Sequence, residues 1–222
     1  MAGTQTSNQA GIITEDTTIL APPRATKEQA IAFITRRGST EYTDADINLI
    51  VNHYWNIAVP AGVDPLLAVA QSIHETSDHG HPMSSWWARR PRRNPAGIGV
   101  TGGHPRTTDP QDPHKWALDD SVQPQVWRAG LSFASWELGV KAQVGRLLAF
   151  ALPAGQGTNI QKELINFALG ERPLPAVVRG TAPTLKLLGA HHNPTGQGWA
   201  FKGITYGAKI AAIAQAIKNT VV

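Results

Sequence analysis

The sequence predicts a mainly α-helical domain carrying one small, loop-rich lobe with a β-hairpin. Three observations lead there. Thr26-Lys-Glu-Gln29 and Thr158-Asn-Ile-Gln161 are capping boxes, and Thr43-Asp-Ala-Asp46 opens a further helix in the same manner. Behind these starts, apolar residues recur at three- and four-residue spacing, which puts one face of each segment into a core. From residue 100 to 132 that pattern lapses into Gly, Pro, Asp and Thr, the composition of turns and short strands. At 222 residues the chain can bury a real core, with most of it in one domain.

In chain order, residues 1–24 are polar and Thr-rich and end in Ala21-Pro22-Pro23-Arg24, which reads as an extended arm ahead of a domain at 25–222. The first helix runs from the Thr26 box to about Arg37. The second carries the stripe Ile47, Ile50, Tyr54 and Ala58 and stops at Pro60-Ala-Gly62, with Tyr54 and Trp55 as core residues. Asp64 caps the third, and Pro65 suits its first position because the missing N–H has no helical partner there. Leu66, Val69, Ala70 and Ile73 face inward, while Glu75 falls on the face of Ala68, Gln71 and Ser72, just before the stop signals Asp78 and Gly80. The lobe is expected to hold short strands near 99–101 and 131–133. Ser135 caps a fourth helix with Leu138, Ala142, Leu148 and Ala151 inward, ended by Pro153-Ala-Gly155. The Thr158 helix closes at Gly170. A Pro-rich connection, a short helix near 184–189 and a loop precede a last helix over 205–218, with Ile210, Ile213 and Ile217 inward.

Composition excludes several chemistries. With no cysteine there is neither a disulfide framework nor a thiolate zinc site. His74-Glu75…His79 is similar to a zinc protease motif, but its histidines are five apart, which rotates them by about 140° on a helix; the metal motif needs four. Asp78, His79 and His81 have no third-ligand pattern around them, and phosphate loops, dinucleotide fingerprints and Gly-x-Ser-x-Gly elbows do not occur, so neither metal nor cofactor is expected. The formal charge is +4, with Arg89, Arg90, Arg92 and Arg93 clustered in one loop. That cluster is either a solvated loop or an attractor for an anionic polymer such as a cell wall; it is not spread over a groove-sized face as nucleic-acid binding would require. No run is long and apolar enough to span a membrane, and the N-terminus carries no signal-peptide pattern.

Glu75 is the residue with the clearest chemistry. A carboxylate at the C-terminal end of a core helix feels the negative end of the helix dipole, and burial pushes it the same way, toward the protonated form. That is what a general acid needs; the other reading is a solvated helix-end glutamate. Trp86 and Trp87 follow in a loop, where sugar faces stack on such rings. Asn94-Pro-Ala-Gly97-Ile98-Gly99-Val100 then makes a tight turn whose glycines admit a ligand close to the backbone.

His74-Glu-Thr76 with Asn94…Val100 about twenty residues on resembles the glucosaminidase family of peptidoglycan hydrolases. The segment Phe133-Ala-Ser-Trp-Glu-Leu-Gly-Val-Lys-Ala-Gln-Val and Trp199…Tyr206-Gly-Ala-Lys-Ile look like that family's later blocks. The resemblance covers residues 43 to 222, with Ser77 where glycine is usual and Arg93 at the first Asn of the turn. It implies a lysozyme-like fold with Glu75 as catalytic acid, cleaving the β-1,4 bond after N-acetylglucosamine. The implied substrate contacts are Gln71, Trp86, Trp87, Asn94, Gly97, Ile98, Gly99 and Tyr206. A paired-carboxylate mechanism needs a second acid, for which the lobe offers Asp119 and Asp120 first, with Asp109 and Asp112 beside them; assistance by the substrate's own 2-acetamido group is the alternative. Trp116 and Trp127 either form sugar platforms or anchor the lobe. A muramidase or lytic transglycosylase shares the fold and the single acid. A wall-binding component of a phage tail or injection particle with no catalysis is the reading from another class, with residues 1–24 contacting the particle. Any route to the wall is then release at lysis or transport in such a particle.

Overall fold

The computed structural model describes residues 11–101, 104–201 and 204–222. The fold is mainly helical. Six α-helices, α1 (Lys27–Thr35), α2 (Asp44–Ala58), α3 (Pro65–Thr76), α4 (Trp136–Ala151), α5 (Asn159–Glu171) and α6 (Tyr206–Lys218), surround one principal core. The starts of α1 to α5 follow the capping logic, whereas α6 begins at Thr205 without a side-chain cap: the hydroxyls of Thr26, Thr43 and Thr158 accept from the third helical N–H, and the side chains of Gln29, Asp46 and Gln161 return the bond. Asp64 accepts from Leu66 N at the head of α3.

α3 is the centre of the molecule. Every residue from Pro65 to Ile73 is buried, on all sides rather than along one stripe, because α2 and α6 pack on it and α4 reaches it through the Gln143 side chain. Small residues set two close approaches elsewhere in the fold. A Cβ on Gly145 of α4 would lie 2.0 Å from the Leu164 carbonyl of α5, so only glycine lets these two helices close to this distance. Gly207 does the same for α6, where a Cβ would lie 2.6 Å from Lys186 N in the short 3-10 turn Lys186–Leu188.

The lobe holds one antiparallel hairpin, β1 (Trp116–Asp119) with β2 (Val126–Ala129), in the register Trp116↔Ala129 to Asp119↔Val126. This corrects the expected strands near 99–101 and 131–133. The second segment bonds instead to residues ahead of the first, and by single bonds: Leu131 N donates to Ile98 O at 3.0 Å and Phe133 N to Arg92 O at 2.7 Å. Gly97 and Gly99, at φ +58° and +76°, curl the chain away before a ladder can extend. Three smaller expectations also shift. α5 runs through Gly170 to Glu171, a 3-10 turn at Ala176–Val178 interrupts the Pro-rich connection, and Ile213 is only half-buried.

Residues 11–24 are extended but do not stand apart from the domain. Ile13 and Ile19 join the core, and the strap is sewn in by Ile19 N to Pro183 O (2.9 Å), Asp64 N to Ile19 O (3.0 Å) and an Arg24–Asp64 ion pair at 2.8 Å. The reason is local. Asp64 is fully buried as the α3 cap, and Arg24 supplies the cation that a buried carboxylate requires. The rest of the expected arm, residues 1–10, lies outside the described residues. Among the described residues no helix is long and apolar enough to cross a membrane.

Candidate active site

The end of α3 brings Glu75 to the wall of a cavity of about 520 Å³. On one side lie Trp87 and the turn residues Ala96, Gly97, Ile98 and Val100; on the other lie Arg146 of α4, Arg172 just beyond α5, and Gly198 to Phe201. Gly97 faces the acid: a Cβ there would sit 3.6 Å from Glu75 Oε2, in ordinary contact. Trp87 is held because Gly130 has no side chain, since a Cβ at that position would reach 2.4 Å from the indole ring.

Behind Glu75 runs a buried hydrogen-bond chain that crosses the whole core. Tyr54 of α2 donates its hydroxyl to Gln143 Oε1 (2.8 Å), and Gln143 Nε2 donates to Gln71 Oε1 (2.9 Å). Gln71 Nε2 donates to the Tyr206 hydroxyl (3.0 Å), which donates to Glu75 Oε1 (2.5 Å). Gln143 also donates to Ala68 O at 2.9 Å, which fixes the sense of its amide. Every donor points the same way, so the bonds polarise one another toward the carboxyl. Burial pushes the Glu75 carboxyl above the ordinary glutamate range, opposed by the Tyr206 hydroxyl. Burial and the neighbouring Glu75 charge raise the Tyr206 phenol well above its usual value, so Tyr206 stays a donor. His74 meets the Tyr206 ring edge-on at 5.3 Å, and burial lowers its pKa, which favours a neutral imidazole beside the acid.

The sequence-derived residues therefore divide by position. Glu75, Trp87, Gly97 and Ile98 converge on the cavity. Gln71 and Tyr206 stand behind Glu75, and Gln71 is wholly buried, so it supports the acid and has no surface for a substrate. Asn94 is likewise fully buried: its amide donates to Ile98 O (2.8 Å) and Leu131 O (3.0 Å), while its Oδ1 accepts from Ile98 N (2.9 Å). It clasps the turn from inside, as Gly99 does by packing on Leu131. Trp86 is displaced to a neighbouring groove of about 830 Å³, with the Arg92 guanidinium 3.7 Å above its ring and with Trp116 and Trp127 on the groove's walls.

Asp119 and Asp120 do not reach Glu75. Asp120 faces that second groove, and Asp119 is bound within the hairpin by Ser121 and by Arg128 Nε at 2.7 Å, contacts that hold its carboxyl below the ordinary aspartate range. Lining the Glu75 cavity, Glu75 is the one carboxylate among the described residues. Sequence reasoning missed Arg146 and Arg172, and it quoted Gln143 only within the Phe133…Val144 block, with no role. The signal available was a polar residue interrupting an apolar helix run, at Gln143 and again at Arg146 in the stretch Ala142-Gln-Val-Gly-Arg-Leu-Leu. Compared with family models, curated proteins and solved structures, the chain matches none.

Proposed function

We propose that this chain is a peptidoglycan hydrolase of endo-β-N-acetylglucosaminidase type, built on a lysozyme-like arrangement of helices and hairpin lobe, with Glu75 as general acid. The observation that carries the reading is the setting of that one side chain. Glu75 ends the central helix, opens on a cavity wide enough for a sugar unit, and is biased toward its protonated form by burial while a hydroxyl fixes its rotamer. Trp87 and the backbone of the Gly97–Ile98 turn give that sugar an apolar face and main-chain groups to lie against.

In the reaction so read, Glu75 gives its proton to the glycosidic oxygen and the C1–O bond breaks. With no second carboxylate on the cavity wall among the described residues, the developing positive charge at C1 is met by the carbonyl oxygen of the sugar's own 2-acetamido group, and water then opens that ring. The same lone acid favours a second reading, a lytic transglycosylase, in which the sugar's 6-hydroxyl attacks C1 instead. The partner is the glycan strand; no cofactor enters. Purified wall sacculi incubated with wild type and with Glu75→Gln test the proposal. Wild type clears the suspension and the variant does not; equal clearing, or none by either, removes Glu75 from the chemistry.

A further inference from the structure

The Glu75 cavity contains two cations for which the mechanism has no use. Arg146 projects from α4 in the middle of an apolar run, half-buried between Phe150 and Trp199, whose ring centres lie 5.7 Å from its guanidinium carbon. Among the described residues its one side-chain hydrogen bond runs from Nη1 to the Arg172 carbonyl at 3.1 Å. Arg172, at the end of α5, lines the same cavity half-buried, and among the described residues its guanidinium makes neither a hydrogen bond nor an ion pair. The close approach of α4 to α5 at Gly145 is what brings these two cations to one wall. Burial and the Arg172 charge push Arg146 down to about 10, so both remain charged at neutral pH.

Two guanidinium groups taken partly out of water on one cavity, with no carboxylate but Glu75 lining it among the described residues, are an unfavourable pairing that an anion would relieve. Glu75 does not neutralise them, being held toward its uncharged form and engaged with Tyr206. Glu171, the nearest acid in sequence, is turned away and bound to His114 Nε2 at 2.5 Å. The planar fork of arginine matches a carboxylate, through paired N–H···O bonds, better than any neutral sugar hydroxyl.

We propose that Arg146 and Arg172 form a carboxylate-binding subsite beside Glu75, which selects glycan strands bearing a free carboxylate on the sugar next to the scissile bond. This rests on the hydrolase reading and names its substrate class more narrowly. The carboxylate has two sources of the same chemistry: the lactyl ether of a muramyl unit stripped of its peptide, or the peptide stem itself.

Binding without turnover tests it. Glu75→Gln protein is titrated calorimetrically with neutral N-acetylglucosamine tetramer, with peptide-free N-acetylglucosamine–muramic acid oligomer, and with the peptide-bearing oligomer. One charge-assisted pair at a half-buried site gives the carboxylate oligomers about tenfold tighter binding than the neutral tetramer. That advantage falls as salt rises, and the better of the two anionic oligomers names the source. Arg172→Gln, a change at a side chain with no partner among the described residues to lose, abolishes the preference while leaving the tetramer affinity unchanged and the melting temperature unchanged or higher, since one of two like charges is gone; Arg146→Gln abolishes the preference too. Equal affinity for neutral and anionic oligomers, an equal loss of both in Arg172→Gln, or binding of neither class overturns the subsite. Loss of wall clearing in Glu75→Gln is read separately, so a hydrolase without charge preference and an anion site without hydrolysis are told apart.

Discussion

Replacing Tyr206 by phenylalanine removes one oxygen that serves two partners, and each loss has its own readout. The hydroxyl accepts from Gln71 Nε2 in a buried bond and donates to Glu75 Oε1 in a part-buried one. Phenylalanine keeps the ring, its packing and its edge contact with His74, so the perturbation is confined to hydrogen bonding. The Gln71 amide then has a buried N–H without a partner, which costs about 1–3 kcal/mol. For a chain of this size each kcal/mol lowers the melting temperature by about 2–4 °C, well within reach of calorimetry. At Glu75 the lost donor had stabilised the carboxylate, so its pKa rises further above the ordinary range. A general acid works while protonated, and the alkaline limb of the pH–rate profile for wall clearing therefore moves to higher pH. The limb staying in place or moving to lower pH, with the melting temperature reduced as stated, refutes the assignment of Glu75 as the proton donor held by Tyr206.

Other consequences are as direct. The folded-state pKa of Glu75 lies above the ordinary value of 4.5, so the native state binds the extra proton and stability falls as pH climbs from 4.5 through the folded value; Glu75→Gln, which still accepts from Tyr206, should match wild type in melting temperature at pH 4 and exceed it at pH 8, and a difference of the opposite sign contradicts the burial argument. Gly145→Ala places a methyl against the Leu164 carbonyl, and the overpacking of about 1–3 kcal/mol exceeds the ~1 kcal/mol gained in helix propensity, so thermal unfolding should shift downward; an upward shift would show that α4 and α5 separate at little cost. Arg24→Met leaves the Asp64 carboxylate buried without its cation, a loss of about 1–3 kcal/mol because the arginine is itself part-exposed, measurable as a lower urea midpoint. Asp119→Asn should leave wall clearing at the wild-type rate, since Arg128 and Ser121 hold that carboxylate inside the hairpin; a large loss of rate would restore it as a catalytic partner.

Local chemistry made much of this legible in advance. Thr26, Thr43, Asp64, Ser135 and Thr158 cap the helices they were expected to cap, because a cap is decided within four residues. Glu75 on the Gln71 face of a buried helix followed from spacing alone. What spacing does not encode is which elements meet. The strands moved to Trp116–Asp119 and Val126–Ala129 because the Asn94 clasp and two left-handed glycines bend the expected segments, an effect of Leu131, thirty-seven residues away from Asn94. Ile13 and Ile19 read as part of a polar arm, yet they dock because Asp64 needs Arg24 and the core has room for two more apolar side chains. The chain from Tyr54 through Gln143 and Gln71 to Tyr206 joins four helices, so its connection is not written in the local sequence around any one member. The same holds for Arg146 and Arg172, whose shared wall depends on the absence of a side chain at Gly145.

Mass spectrometry of the fragments released from sacculi tests the central claim most directly, because the new chain end records which oxygen took the proton from Glu75 and what captured C1. Wild type is expected to release fragments ending in reducing N-acetylglucosamine, and Glu75→Gln none. Fragments ending in anhydro-muramic acid, reducing muramic acid ends, or the same products from both proteins would contradict the account.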